Sequence, residues 1–535
     1  MKQTFEILTP ETFGIRNSIN SILNLLKQKE GLISIEGLKG PSRALFLSQL
    51  QKIGPVLVLS TDMNVAESLL GDLRYFFHYE KIKKAPLFFP SWELLPYEQL
   101  SPLREVSGER LGILDHLQTG GRPFLITPIS AVFQFIVPRA ILEKNVFTLQ
   151  KNDSFEREIL KTCLTAAGYV RSSMVEERGQ FSMRGDILDL FVPSLHDPVR
   201  IEFFGDDIES LRCFDIATQV SKGEIDSLRV LPIRELLLNE EVVKKGLNKI
   251  HKQAVRDGLD RGRVKELEDK IQQLGGFSGI EMFTSYFYDE RETLFHYLPN
   301  DTLLVIDDRE LINNQIETYL NQVRMEFKHA RERGDLAVLP ENFCMDTQSF
   351  SKELEKKSVI ELSPLKLSNE SEAVIQYETC STDVYLGDFD RFAESASKWI
   401  EDGYRITVVA PTKHHVARIY ELLDQYGLDV DVDLGYISGG FQLPTSNEIF
   451  IAEHEIFGRS QKHRYRRKPK SKSFQRGFKD LKPGDYLVHI DYGIGKYVGT
   501  RELTTGLGSG EFLQIHYSGD EKLYIPMDSL GYLQK

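Results

Sequence analysis

Cysteine is scarce in this 535-residue chain: Cys163, Cys213, Cys344 and Cys380 lie far apart, with no C-x-x-C pair and no neighbouring histidine cluster. That spacing excludes a disulfide framework and a structural zinc site, and leaves buried thiols as the expected state. Long apolar runs are absent too. None approaches the roughly 18 residues that a membrane-spanning helix needs, and Met1 to Glu6 lacks the shape of a signal peptide, so a cytoplasmic location is expected. The twelve histidines form no H-E-x-x-H pair, and no G-x-S-x-G elbow occurs, which removes the common metal-dependent and serine hydrolase signatures. Positive charge is also in deficit, with 66 Lys and Arg against 79 Asp and Glu, a net charge of -13. A chain coated in DNA-binding surface needs the opposite balance, because such binding neutralises phosphates. The local exception is Arg459 to Lys472, with eight Lys and Arg and no acid; this is either a solvated linker or a weak contact with a nucleic-acid backbone.

What is present is the composition of a soluble globular protein, 41% hydrophobic and 27% charged. The length calls for roughly three to five domains. Short apolar runs at Leu32 to Ile35, Pro55 to Ser60, Leu87 to Phe89 and Phe124 to Thr127 alternate with helical patterns, which predicts a parallel sheet with crossovers over residues 1–138. From 139 to 235 the texture turns to short strands and glycine turns, an inserted antiparallel α+β domain. Residues 236–350 return to helices and a buried strand at Thr302 to Asp308, the second part of the first domain. A small separate α/β domain is expected over 375–458, then the basic linker at 459–480, then a small all-β module over 481–535. No internal repeat is present.

Gly37 to Ala44 reads Gly-Leu-Lys-Gly-Pro-Ser-Arg-Ala between a strand and a helix, the place of a phosphate-binding P-loop. The pattern G-x-x-x-x-G-K-[ST] uses backbone N–H groups, a lysine and a hydroxyl to hold phosphates and Mg²⁺. Here Gly37 and Gly40 supply glycine, but the second motif glycine is Ser42, the lysine is Arg43 and the hydroxyl residue is Ala44. Ala44 cannot ligate a metal, and the Arg43 fork is a poor substitute for an ammonium. An ordinary strand-turn-helix fits the octapeptide equally well. Asp307 and Asp308, ending an apolar strand, have the form of a Walker B element, although many parallel strands end in Asp. Both halves together describe a disarmed site, with no cofactor expected.

Two further clusters bear on partners. Arg184 and Arg200, near Phe181, Glu202, Phe203 and Phe204, are either an Arg-plus-aromatic hot spot or a core whose arginines pair with local acids. Gly493-Ile494-Gly495 sits between β segments, so a hairpin explains it better than phosphate binding. A terminal β module offers strand edges for recognition.

In this order, these segments resemble the N-terminal half of the bacterial transcription-repair coupling factors (Mfd). Phe89-Pro90-Ser91-Trp92-Glu93-Leu94-Leu95-Pro96-Tyr97, the block from Gly168 to Glu209, and Gly276-Phe277-Ser278-Gly279-Ile280-Glu281 resemble the module shared with the excision-repair helicase UvrB. Pro483 to Gly495, with Lys522 to Pro526, resembles the RNA polymerase-interacting domain also found in CarD-type regulators. The resemblance implies a degenerate, helicase-like P-loop α/β domain with an inserted α+β domain, a small separate α/β domain, and a C-terminal Tudor/CarD-like small β-barrel. It implies a UvrA-binding surface at Arg171, Phe181 and Arg184, and docking on the RNA polymerase β subunit by strand addition around Arg501, Glu502 and Leu503. In the family an ATP- and Mg-dependent DNA translocase follows. No such motor is present up to Lys535, so an N-terminal fragment with a non-catalytic adaptor role is the expectation. Only Glu98 to Glu109 separate Tyr97 from Arg110, leaving little room for the long hairpin with which UvrB clamps damaged DNA. Two other readings are an ATP-driven UvrB-like helicase and a CarD-like regulator without a repair role.

Overall fold

The computed structural model describes residues 7–8, 14–16, 19–27, 32–94, 96–98, 100–272, 277, 279–364, 373–458, 484–489, 493–505, 508–516, 522–526 and 533–534. The chain divides into two compact units, residues 1–173 with 178–464, and residues 174–177 with 465–535. The basic stretch Arg459 to Lys472 lies outside the described residues.

The larger unit is a mixed α/β structure. Its principal sheet has eight strands in the order Ile7–Leu8, Ala373–Gln376, Ile33–Glu36, Val359–Ser363, Leu303–Asp307, Val56–Ser60, Phe124–Pro128, Leu87–Phe88, every neighbouring pair parallel. The central strands are buried at every position, which is why they read as unbroken apolar runs: a parallel sheet carries helices on both faces. Strand Val56–Ser60 shows the division. Val56 and Val58 enter a core shared with helices Ser42–Leu50 and Met63–Tyr79, while Leu57 and Leu59 enter the core built by Arg104–Gln118 and Arg309–Glu332. Helix Met63–Tyr79 starts where Asp62 accepts hydrogen bonds from the N–H groups of Asn64 and Val65. Strands Val359–Ser363 and Ala373–Gln376 join this sheet although they lie beyond residue 350. Their short runs carry no pattern of their own, and they owe their pairing to the apolar strands beside them.

Between the parallel strands, a six-stranded sheet runs in the order Ser221–Glu224, Asp207–Phe214, Val199–Phe204, Ile187–Leu190, Gln180–Arg184, Val170–Arg171. It is antiparallel except for the last pair. Helix Arg157–Ala166 covers one face with Leu160 and Leu164. A separate antiparallel pair, Phe147–Gln150 with Ser227–Val230, brings the entering and leaving chain together. A third sheet orders Cys380–Ser381, Phe441–Leu443, Glu448–Ala452, Arg405–Ala410 and Asp431–Leu434, with helices Phe389–Glu401 and Lys413–Gln425.

In the smaller unit, Lys522–Pro526, Gly508–His516, Gly493–Thr505, Tyr486–His489 and Leu533–Gln534 form a five-stranded antiparallel sheet in that order. Gly493 pairs with His489 at the start of its strand, so the Gly493–Gly495 pair belongs to a β ladder.

Candidate functional site

The turn after strand Ile33–Glu36 needs glycine twice, at Gly37 (φ +82°) and Gly40 (φ +53°). It then enters helix Ser42–Leu50 through Pro41, whose fixed φ suits a helix start. In a phosphate-binding loop the N–H groups of this first turn stay open for the ligand. Here they are taken. The N–H of Ser42 donates to the Lys39 carbonyl at 3.2 Å, Arg43 to Gly40 at 3.3 Å and Ala44 to Pro41 at 2.9 Å, while the Lys39 N–H donates to Thr379 Oγ1 at 3.0 Å.

Arg43, at the position of the phosphate-binding lysine, is turned inward. Its guanidinium donates to both carboxylate oxygens of Asp307, at 2.7 and 2.8 Å, and Asp307 is only 3% exposed. Burial pushes the Asp307 carboxyl up, and Arg43 opposes it. The cation and the acid that would face a nucleotide and its metal thus neutralise each other. Asp308 is spent as well: it takes a left-handed backbone (φ +70°) and caps helix Arg309–Glu332 by accepting from the Leu311 N–H.

On the inserted sheet, the three expected partner-binding residues separate. Phe181 is 1% exposed and packs in the core with Leu190 and Val199, so its ring offers a partner nothing in this conformation. Arg171 pairs with Phe181 in register, whereas Arg184 stands opposite Ile187, one residue out of step with the core positions Met183 and Leu188 and therefore on the other face. Half-exposed Arg184 donates to Asp189 Oδ2 at 2.7 Å, and Arg200 grips the same buried carboxylate through Oδ1 at 2.7 Å and Oδ2 at 3.0 Å. The arginines thus pair with local acids, and Phe203 is in the core while Phe204 is 79% exposed. Along this face Arg212 continues the charged row, within ion-pair distance of Glu202 and Glu224.

In the smaller unit Arg501, Glu502 and Leu503 pair with Phe512, Glu511 and Gly510; their side chains lie outside the described residues. Strand Tyr486–His489 covers Gly493 to Lys496 on the other edge of the Gly493–Thr505 strand, and Gly484 and Asp485 exchange backbone hydrogen bonds with Tyr497. Among the described residues, Gly499 to Thr505 therefore have a strand partner on one edge only.

Two residues of structural weight carried no sequence signal. Arg110 is fully buried and donates to Glu235 (Nε to Oε1, 2.5 Å), Pro90 O (2.7 Å) and Gln134 Oε1 (3.0 Å), with its guanidinium over the rings of Phe89 and Trp92. Asp72, inside a helix that reads as amphipathic, is buried and accepts from the N–H of Ser438 at 2.6 Å.

Residues 147–236 match the model of the UvrB interaction domain, and residues 481–535 match that of the CarD-like/TRCF RID domain. A transcription-repair-coupling factor of Myxococcus xanthus is 28% identical over 94% of this chain and 45% of its own length. That of Bacillus subtilis is 26% identical over 97% and 46%. The chain is similar to transcription-repair-coupling factors over nearly all of its length. It spans about half the length of the relatives it matches, including one from Staphylococcus aureus at 23% identity. Among the described residues, no helix is long and apolar enough to cross a membrane.

Proposed function

We propose that this chain acts as the non-catalytic adaptor part of a transcription-repair coupling factor. The inserted sheet would bind UvrA and the C-terminal sheet would bind RNA polymerase through its β subunit, so that a stalled polymerase is linked to excision repair. The observation that carries the non-catalytic half is the Arg43–Asp307 ion pair, which consumes the two charges a nucleotide site would need. The same loop, between a parallel strand and a helix, supports descent from a P-loop domain, with ATP and Mg left to motor domains of the longer relatives. For the polymerase half, the backbone edge from Gly499 to Thr505, which has no strand partner among the described residues, is suited to strand addition, in which backbone hydrogen bonds supply affinity; a Tudor/CarD-like closure of this sheet goes with that reading. For UvrA, the exposed row Arg184, Arg212 and Glu202 offers charges and Phe204 an apolar tip, in place of the buried Phe181. A cytoplasmic location goes with this reading.

A pull-down of purified UvrA and polymerase β subunit tests both halves. Arg184→Glu should weaken UvrA capture at least tenfold while leaving polymerase capture intact, and Leu503→Arg should do the reverse. Equal capture of both partners by both variants would remove the adaptor reading.

A further inference from the structure

The loop that lost its nucleotide chemistry sits against the chain segment that leaves the eight-stranded sheet for the five-stranded one. Strand Ala373–Gln376 belongs to the first sheet and Cys380–Ser381 to the second, so Tyr377, Glu378 and Thr379 form the whole connection. The Thr379 hydroxyl donates to the Gly37 carbonyl at 2.7 Å and accepts from the Lys39 N–H at 3.0 Å. The Tyr377 N–H donates to the Glu36 carbonyl at 2.8 Å. A side chain at Gly37 would bring its Cβ within 2.1 Å of the Tyr377 carbonyl oxygen, so glycine is required here by the connection as well as by its positive φ.

The helix that packs on the loop's own helix holds the other side of the joint. Along Met63–Tyr79, Asp72 accepts from the Ser438 N–H and contacts its hydroxyl at 2.7 Å, the Tyr75 hydroxyl lies 3.2 Å from Asp433, and Phe76 packs against Phe441 and Phe450. One continuous apolar core accordingly runs from the loop helix through this helix into the second sheet.

We propose that the vestigial nucleotide loop is an interdomain anchor: Gly37 to Lys39 grip Thr379 and, together with Asp72 on the adjacent helix, fix the five-stranded α/β domain against the eight-stranded one. The backbone groups that once suited a phosphate hold a threonine hydroxyl, and Arg43, locked to Asp307, keeps the turn rigid from below. Occupation by a nucleotide and attachment of Thr379 are alternatives for the same Lys39 amide.

Hydrogen–deuterium exchange on the full chain tests this. Thr379→Val should accelerate exchange at least tenfold at Gly37 to Lys39 and also in the remote segment 433–441, while Thr379→Ser should behave as the parent. Acceleration confined to residues 37–39 and 377–381 would overturn the anchor. Should Thr379→Val fail to fold, Ser438→Ala probes the joint from its other end: faster exchange at Lys39 supports the anchor and an unchanged Lys39 overturns it. Protection of Gly37 to Ala44 by ATP and Mg²⁺ would also overturn it, since a filled loop could not hold Thr379.

Discussion

At Arg43 the chain carries arginine where the phosphate-binding pattern has lysine, between two further departures from it at Ser42 and Ala44. Arg43 reaches the carboxylate through one nitrogen, Nη1, which donates to both Asp307 oxygens, while its Nε donates to the Gly40 carbonyl. With Asp307 buried, removing Arg43 alone strands an unpaired acid, a cost on the order of 3 to 5 kcal/mol. Arg43→Met should therefore lower the urea midpoint strongly, and Arg43→Met with Asp307→Leu should recover most of the loss. Equal destabilisation by the single and double variants would mean that the pair is not the source. Asp72 carries a second residue-scale prediction, in pH. Burial pushes its carboxyl from the ordinary 3.8 up to about 7, against the hydrogen bonds from Ser438. Between these values the folded chain holds a proton that the unfolded chain has released, so rising pH costs stability, by up to about 1.4 kcal/mol per pH unit. Below pH 4 the contribution is fully present, and above pH 7 it is lost. Asp72→Asn keeps the acceptor for the Ser438 N–H and cannot titrate. Relative to that variant, the parent should lose stability between pH 5 and pH 7.5 in urea titrations; parallel curves would contradict this.

Among elements, the buried parallel strands were the most legible, because a strand covered on both faces must be apolar throughout and its pattern survives any packing detail. The short alternating strands of the insertion were legible for the opposite reason: one face is wet, so Val199, Ile201 and Phe203 alternate with Arg200, Glu202 and Phe204. What could not be read was which aromatic belongs to which face. Alternation alone puts Phe203 and Phe204 on opposite faces, but the face that Phe181 shares with Phe203 follows only from the pairing of Gln180–Arg184 with Ile187–Leu190 and of that strand with Val199–Phe204. Val359–Ser363 escaped although it is as long as Val56–Ser60, because Glu361 and Ser363 interrupt its apolar run, and Ala373–Gln376 has only three apolar residues. Arg110 escaped for a different reason. A guanidinium wholly enclosed by Glu235, Gln134, Pro90 and two aromatic rings is indistinguishable in sequence from a surface arginine, since its partners lie 20 to 125 positions away.

At the scale of the whole molecule, a net charge of -13 and the Arg43–Asp307 ion pair support the proposed adaptor over the helicase reading. A DNA-driven enzyme concentrates cations along its cleft, whereas many cations of the larger unit pair with acids, as at Arg122–Asp301, Lys249–Asp289 and Arg331–Asp257. The densest run of positive charge in the sequence is Arg459 to Lys472, with eight Lys and Arg and no acid. If this stretch alone meets duplex DNA, the logarithm of affinity should fall with the logarithm of salt by a slope of magnitude no more than about 7, and affinity near physiological salt should be no tighter than the micromolar range of non-specific binding. Fluorescence anisotropy of a labelled duplex across a salt series measures both. Deleting residues 459–472 should then abolish binding while UvrA capture persists. Binding that survives the deletion with its slope intact would place a DNA cleft in the larger unit and favour the helicase reading, because only a cleft built by the folded domains could supply the phosphate contacts once the basic stretch is gone.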